Sequence, residues 1–90
     1  MKIVLKAMAG TLESNDVMVR VTPQPGGIQV RVESIVLRQF GQALEQAARQ
    51  TAQALGAKDV LIELDDKGAV DWTVRARVET ALRRARGVEA

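Results

Sequence analysis

The spacing of apolar residues changes period along the chain, and each change falls at turn-forming residues. In "DVMVRVT", Val17, Val19 and Val21 alternate with Met18, Arg20 and Thr22; after "PQPGG", the run "IQVRVE" repeats the alternation with Ile28, Val30 and Val32. A period of two puts each apolar set on one face of a strand, and the Pro/Gly run between them predicts a loop joining two strands. The preceding "AMAGTL" predicts a further strand, which leaves "ESND" as its connection to Val17. From Ser34 the period lengthens. Leu37, Phe40, Leu44, Ala47, Ala48, Thr51 and Leu55 recur at three- and four-residue steps, with Arg38, Gln42, Glu45, Gln46 and Arg49 elsewhere on the wheel. That spacing predicts a helix, with Ser34 as its N-cap and Gly56 just past its end. "KDVLIEL" then reads as a short strand closed by the turn "DDKG". A second helix follows, with Asp71 as N-cap, Val74, Val78, Ala81, Leu82 and Ala85 as its buried stripe, and Gly87 as its stop.

The predicted order is strand, strand, strand, helix, strand, helix. Burying all the stripes together predicts an α+β fold: a small, mainly antiparallel sheet of three to four strands with two helices packed on one face. Residues 1–90 contain no linker, repeat or low-complexity tract, so one domain is expected. The run "QALEQAARQTAQALGA" is biased in composition, but Ala and Gln favour helix and its apolar spacing is regular.

Composition narrows the chemistry. Hydrophobic residues make up 47% of the 90, enough for one modest core, yet Phe40 and Trp72 are the only aromatic residues. The core must be aliphatic, and few ring faces are left for stacking bases or cofactors. The chain has no Cys, which excludes a disulfide framework, a thiolate nucleophile and a zinc ribbon. The apolar run in "MKIVLKAMAG" is broken by Lys6 and is too short for a signal peptide, and no segment approaches the roughly 20 apolar residues of a membrane span. A soluble, cytoplasmic protein with no membrane partner is expected.

The net charge of +2 is unevenly placed. From Trp72 onward Arg75, Arg77, Arg83, Arg84 and Arg86 face only Glu79 and Glu89, whereas Met1 to Asp71 is nearly balanced. Such a segment could hold nucleic acid or phosphate. The plainer reading is a solvated helix face, with Arg75-Glu79 and Glu79-Arg83 as internal i to i+4 pairs.

Candidate chemistry is sparse. Histidine is absent, so no Ser-His-Asp relay can form and the usual base near neutral pH is missing. Ser14 and Ser34 are the only serines. Ser14 falls in "ESND", where Asn15 tolerates positive φ, so its hydroxyl is expected on an exposed tip. Glu13 and Asp16 flank it and could act as an acid/base pair, but on an exposed turn both should be solvated and near their ordinary acidity. Asp65 and Asp66 before Lys67-Gly68 fall short of the ligands a calcium loop needs, and are read as a turn; no metal site is expected. A serine that cannot be activated from within can still be modified from without. An exposed hydroxyl on a tight turn beside acids is what a carrier domain offers to a cofactor-attaching transferase, although many surface turns contain a serine.

With these residues in view, "AGTLESNDVMVRV" closely resembles the N-terminal motif of the acyl carrier (gamma) subunit family of bacterial citrate lyase, in which the serine of A-G-T-L-E-S-x-D-V-M bears the prosthetic group. "QFG" at Gln39 to Gly41, "DDKGAVD" at Asp65 to Asp71 and "RARVETALRRARG" at Arg75 to Gly87 resemble further family segments, so the similarity runs through nearly the whole chain. It departs at the C-terminus, where this chain stops soon after Gly87, short of the tail many such carriers have.

The resemblance implies a non-catalytic carrier. Ser14 would bear, through a phosphodiester, 2'-(5''-phosphoribosyl)-3'-dephospho-CoA, whose thiol carries acetyl or citryl thioesters. The implied partners are the citrate lyase alpha and beta subunits, for acyl exchange and for cleavage to oxaloacetate, and the prosthetic-group-attaching transferase. No nucleic-acid partner is implied. A malonate decarboxylase carrier uses the same kind of group, but "GTLES" and "DDKGA" favour the citrate lyase family. A nucleic-acid module built on the arginine-rich segment and a plain structural subunit with an unmodified Ser14 remain the readings from other classes.

Overall fold

The computed structural model describes residues 1–87; Glu89 and the chain end noted above lie outside the described residues. Six elements follow in the predicted order: β1 (Ala7–Gly10), β2 (Val17–Pro23), β3 (Ile28–Ser34), α1 (Leu37–Ala54), β4 (Val60–Asp66) and α2 (Asp71–Ala85). They form one four-stranded sheet, in the order β1-β2-β4-β3, with two helices on one face.

The alternation in β2 acts as expected: Val17, Val19 and Val21 are buried, and register carries their face across the sheet. Ala9, Val19, Leu64 and Val32 form one inward row, and Ala7, Val21, Ile62 and Val30 the next. The opposite face is polar, with Arg20, Glu63 and Arg31 side by side and Arg31 within 3.9 Å of Glu63. Sheets of this kind can face water on one side.

The strands that flank the Pro/Gly loop are not neighbours. β4 lies between β2 and β3, antiparallel to the first and parallel to the second. The loop straddles the incoming chain: Gly26 N and Gly27 N donate to Asp59 Oδ1 at 3.2 and 3.0 Å, and Gln24 N donates to the Asp59 carbonyl at 2.9 Å. The gap it spans is two strand spacings, roughly 10 Å, too wide for a closed hairpin. The parallel pair is made possible by α1, whose 18 residues return the chain along the sheet over roughly 27 Å.

α1 covers β3, α2 covers β1 and β2, and the helices pack on each other. All five predicted stripe residues of α2 are fully buried. In α1, Leu44, Ala47, Ala48 and Ala52 are buried, but Leu37 and Phe40 at its start are half exposed. Gly56 and Gly87 adopt φ of +67° and +83° just past the two helices, as helix-ending glycines do.

Neither predicted N-cap is used. Ser34 is the last residue of β3, and Val36 precedes α1 without a side-chain cap. Val70 precedes α2, and Asp71 is its first residue, ion-paired with Arg75 at 2.7 Å. Arg75 therefore pairs with Asp71 and not with Glu79, while Glu79 pairs with Arg83 at 2.9 Å. Both carboxylates sit one turn before their arginine, the favourable order on a helix.

Candidate functional site

The end of β1, the start of β2 and the ends of β3 and β4 meet along one edge of the sheet, through Gly10↔Met18, Val17↔Asp66 and Ser34↔Asp66. Ser14 stands there. Asp16 N donates to the Glu13 carbonyl at 3.1 Å, closing a four-residue turn in which Ser14 is second and Asn15 third. Asn15 has φ of +66°, the left-handed conformation its place demands, and one that Asn adopts more readily than most residues. Ser14 is exposed, and among the described residues none hydrogen-bonds its hydroxyl.

The turn is exposed but firmly anchored. Asn15 N donates to the Lys67 carbonyl at 2.8 Å and Lys67 N to the Asp16 carbonyl at 2.9 Å, one further rung on the β2–β4 ladder. The Asp16 carboxylate is the anchor. It accepts from Arg77 Nε and Nη2, both at 3.1 Å, from Thr11 Oγ1 at 2.7 Å and from Val17 N at 2.8 Å. Thr11 Oγ1 in turn accepts from Glu13 N at 3.2 Å. A forked arginine contact of this kind is strong and fixes direction. The Arg77 hydrogen bonds, partly opposed by burial and helped by Thr11 and Val17, hold the Asp16 carboxyl at about 2, against an ordinary 3.8.

Asp16 thus departs from the solvated carboxylate expected from the sequence: only 14% of its side chain is exposed. It and Glu13 are not an acid/base pair around the serine, since Asp16 is spent on Arg77. Ahead of the turn, Gly10 has φ of +96°, and a Cβ there would lie 1.8 Å from the Val17 carbonyl oxygen. The motif needs its glycine because two backbone segments touch at that point.

The "DDKG" segment supports the same edge. Asp66, 1% exposed, accepts from Ser34 Oγ at 2.7 Å, Gly68 N at 3.1 Å and Ala69 N at 3.0 Å, while Asp65 points away to Lys67 at 3.3 Å. Ser34 Oγ also accepts from Val36 N at 3.1 Å. The chain's second serine is therefore committed to structure. No local sign marks Arg77 as the anchor of Asp16, because the two are 61 residues apart.

The arginines of α2 are largely engaged within the chain. Arg75, Arg77 and Arg83 are ion-paired, and Arg84 donates to the Met8 carbonyl at 2.8 Å. No helix among the described residues is long and apolar enough to cross a membrane.

The sequence profile of the family described as "ACP: Malonate decarboxylase delta subunit (MdcD)" matches residues 4–85. Citrate lyase acyl carrier protein 2 of Salmonella paratyphi A is 50% identical over 86 residues, covering 94% of this chain and 89% of its own. The citrate lyase acyl carrier protein of Klebsiella pneumoniae is 52% identical over 87 residues with the same coverage, and that of Rhodopseudomonas palustris is 47% identical over 85. A chain in the crystal structure of a Pseudomonas malonate decarboxylase hetero-tetramer in complex with malonate superposes with a TM-score of 0.66 at 25% identity, covering 90% of this chain and 84% of that one. Similarity at this level over nearly the full length places this chain in the citrate lyase acyl carrier protein family.

Proposed function

We propose that this protein is the acyl carrier of a citrate lyase and that Ser14 is where its prosthetic group, 2'-(5''-phosphoribosyl)-3'-dephospho-CoA, is attached. The observation that carries the assignment is the contrast between the two serines. Ser34 is held by Asp66 and Val36, whereas Ser14 is exposed on an anchored turn with its hydroxyl unengaged among the described residues. Such a hydroxyl has room for a bulky phosphodiester and needs no base of its own, since an attaching transferase brings one. When bound, the group supplies the thiol, and hence the thioester chemistry, that a chain without Cys lacks.

The chain's own residues position and present. The Asp16–Arg77 fork ties the turn to α2, and the backbone bonds of Asn15 and Asp16 to Lys67 tie it to the end of β4, so the attachment point is fixed relative to the whole fold. Nothing in the turn activates a nucleophile, which fits a carrier that leaves bond making to its partners, the citrate lyase alpha and beta subunits. A cytoplasmic location goes with this reading. A malonate decarboxylase-type carrier is the second reading, supported by the family profile and by the structural neighbour; the higher identity to citrate lyase carriers favours the first.

The test is peptide mass spectrometry after co-expression with the attaching machinery. The mass of the group should appear on the Ser14 peptide alone. Ser14→Ala should abolish loading and change stability by less than about 0.5 kcal/mol, as exposed positions do. A group found on Ser34 or on a threonine overturns the assignment. Loaded protein that restores malonate decarboxylation but not citrate cleavage decides for the second reading.

A further inference from the structure

A groove of about 380 Å³ runs between the first turns of α1 and α2, at the end of the molecule that carries Ser14. Its walls are apolar, with Val36, Phe40 and Leu44 on one side and Ala69, Val70 and Val74 on the other. Its charged lining is two carboxylates, Asp66 and Asp71, and no basic residue lines it. Asp66 is occupied by three hydrogen bonds and Asp71 by Arg75. Phe40, 50% exposed, has ring surface left to bury.

The groove adjoins the attachment turn. Gly68 lines it, and a Cβ on Gly68 would lie 3.6 Å from Asn15 Oδ1, so the residue after Ser14 abuts the rim. Anything joined to Ser14 is held there at a high effective concentration, on the order of millimolar for a short flexible tether. The lining selects which part of a nucleotide arm can enter. Phosphates are refused by apolar walls with carboxylates and no cation to pair them, and so are the free carboxylates of a citryl group. The pantetheine end lies beyond the diphosphate, furthest from Ser14. The adenine is the first uncharged flat ring outward from the serine, and a purine face packs well on an aromatic ring among aliphatic side chains.

We propose that the groove between α1 and α2 is a binding site for the adenine ring of the nucleotide arm carried on Ser14, holding the root of the arm on the carrier and leaving its thiol end free to reach the partner subunits. This rests on the attachment proposed above. The experiment is NMR of isotope-labelled carrier loaded in vivo, after intact mass has shown the state of Ser14. Adenine H2 and H8 should show nuclear Overhauser contacts to the Phe40 ring and to the Val36 and Val70 methyl groups. Ala43→Glu, at an exposed position of the lining, should remove those contacts and sharpen the adenine lines with little change in melting temperature; Phe40→Ala should weaken them. A loaded wild-type carrier whose adenine protons contact none of these groups overturns the site, as do contacts from the pantetheine methyl groups in their place, or contacts unchanged in both variants. No group on Ser14 after co-expression overturns the proposed function and this site with it; a group on Ser14 without groove contacts overturns the site alone.

Discussion

Asp16 shows how one residue can set the behaviour of the turn that carries Ser14. Its carboxyl is held at about 2 in the folded chain against 3.8 ordinarily, so the native state favours the ionised form. That difference corresponds to about 2 kcal/mol of stability. Because the folded value is the lower one, the contribution is complete only above about pH 5 and is lost as pH falls toward 2. Asp16→Ala should therefore lower stability by about 2 kcal/mol in urea unfolding at pH 7, with the gap to wild type closing from about pH 5 down to about pH 2. A gap that stays constant over that range would mean that the ion pair is not its source. Gly10 is the other residue on which the turn depends. Gly10→Ala must move either the strained backbone or the Val17 carbonyl, and should cost about 2 kcal/mol or more, read as a lower melting temperature.

At the scale of elements, the junction of β3, α1 and β4 rests on one buried carboxylate. Asp66 gathers the end of β3 through Ser34 and the approach to α2 through Gly68 and Ala69. Ser34→Ala removes a charge-assisted hydrogen bond to a buried group, and should lower stability by about 1–3 kcal/mol in denaturant unfolding. Ser14→Ala, in contrast, should be nearly neutral. Equal effects for the two serines would contradict their different placement. The helix starts are otherwise lightly secured, with neither Val36 nor Val70 offering a side-chain cap. These same starts wall the apolar groove, so the least capped parts of both helices lie beside the Ser14 turn.

For the whole molecule, charge distribution separates a carrier from a nucleic-acid module. The positive charge predicted for the last segment is present, but Arg75, Arg77 and Arg83 each face a carboxylate, and Arg84 is directed at a backbone carbonyl. Cations neutralised internally release few counterions from a phosphate backbone. The purified chain should accordingly bind duplex or single-stranded DNA and RNA only weakly at physiological salt, in a titration that also gives the salt slope. Tight binding with a slope reporting several phosphate contacts would overturn the carrier reading.

The elements and most of their inward faces can be read from local sequence. Val17, Val19 and Val21, and the stripe from Val74 to Ala85, were legible because periodicities of two and 3.6 are local consequences of backbone geometry. The position of Ser14 on a turn was legible for the same reason, since Asn15 advertises positive φ through its own chemistry. The packed fold settles which strands are neighbours. Period reports which face a residue takes, not which strand lies beside it, and β4 could enter between β2 and β3 only once α1 had returned the chain. It also decided the partners of polar side chains. Ser34 looks like a helix cap in the local sequence, but β3 runs on through it in register with Asp66, 32 residues on, so its hydroxyl donates to that carboxylate and α1 starts only at Leu37. Asp16 looks solvated until α2, packed over β1 and β2, brings Arg77 to it and turns an exposed loop into an anchored one.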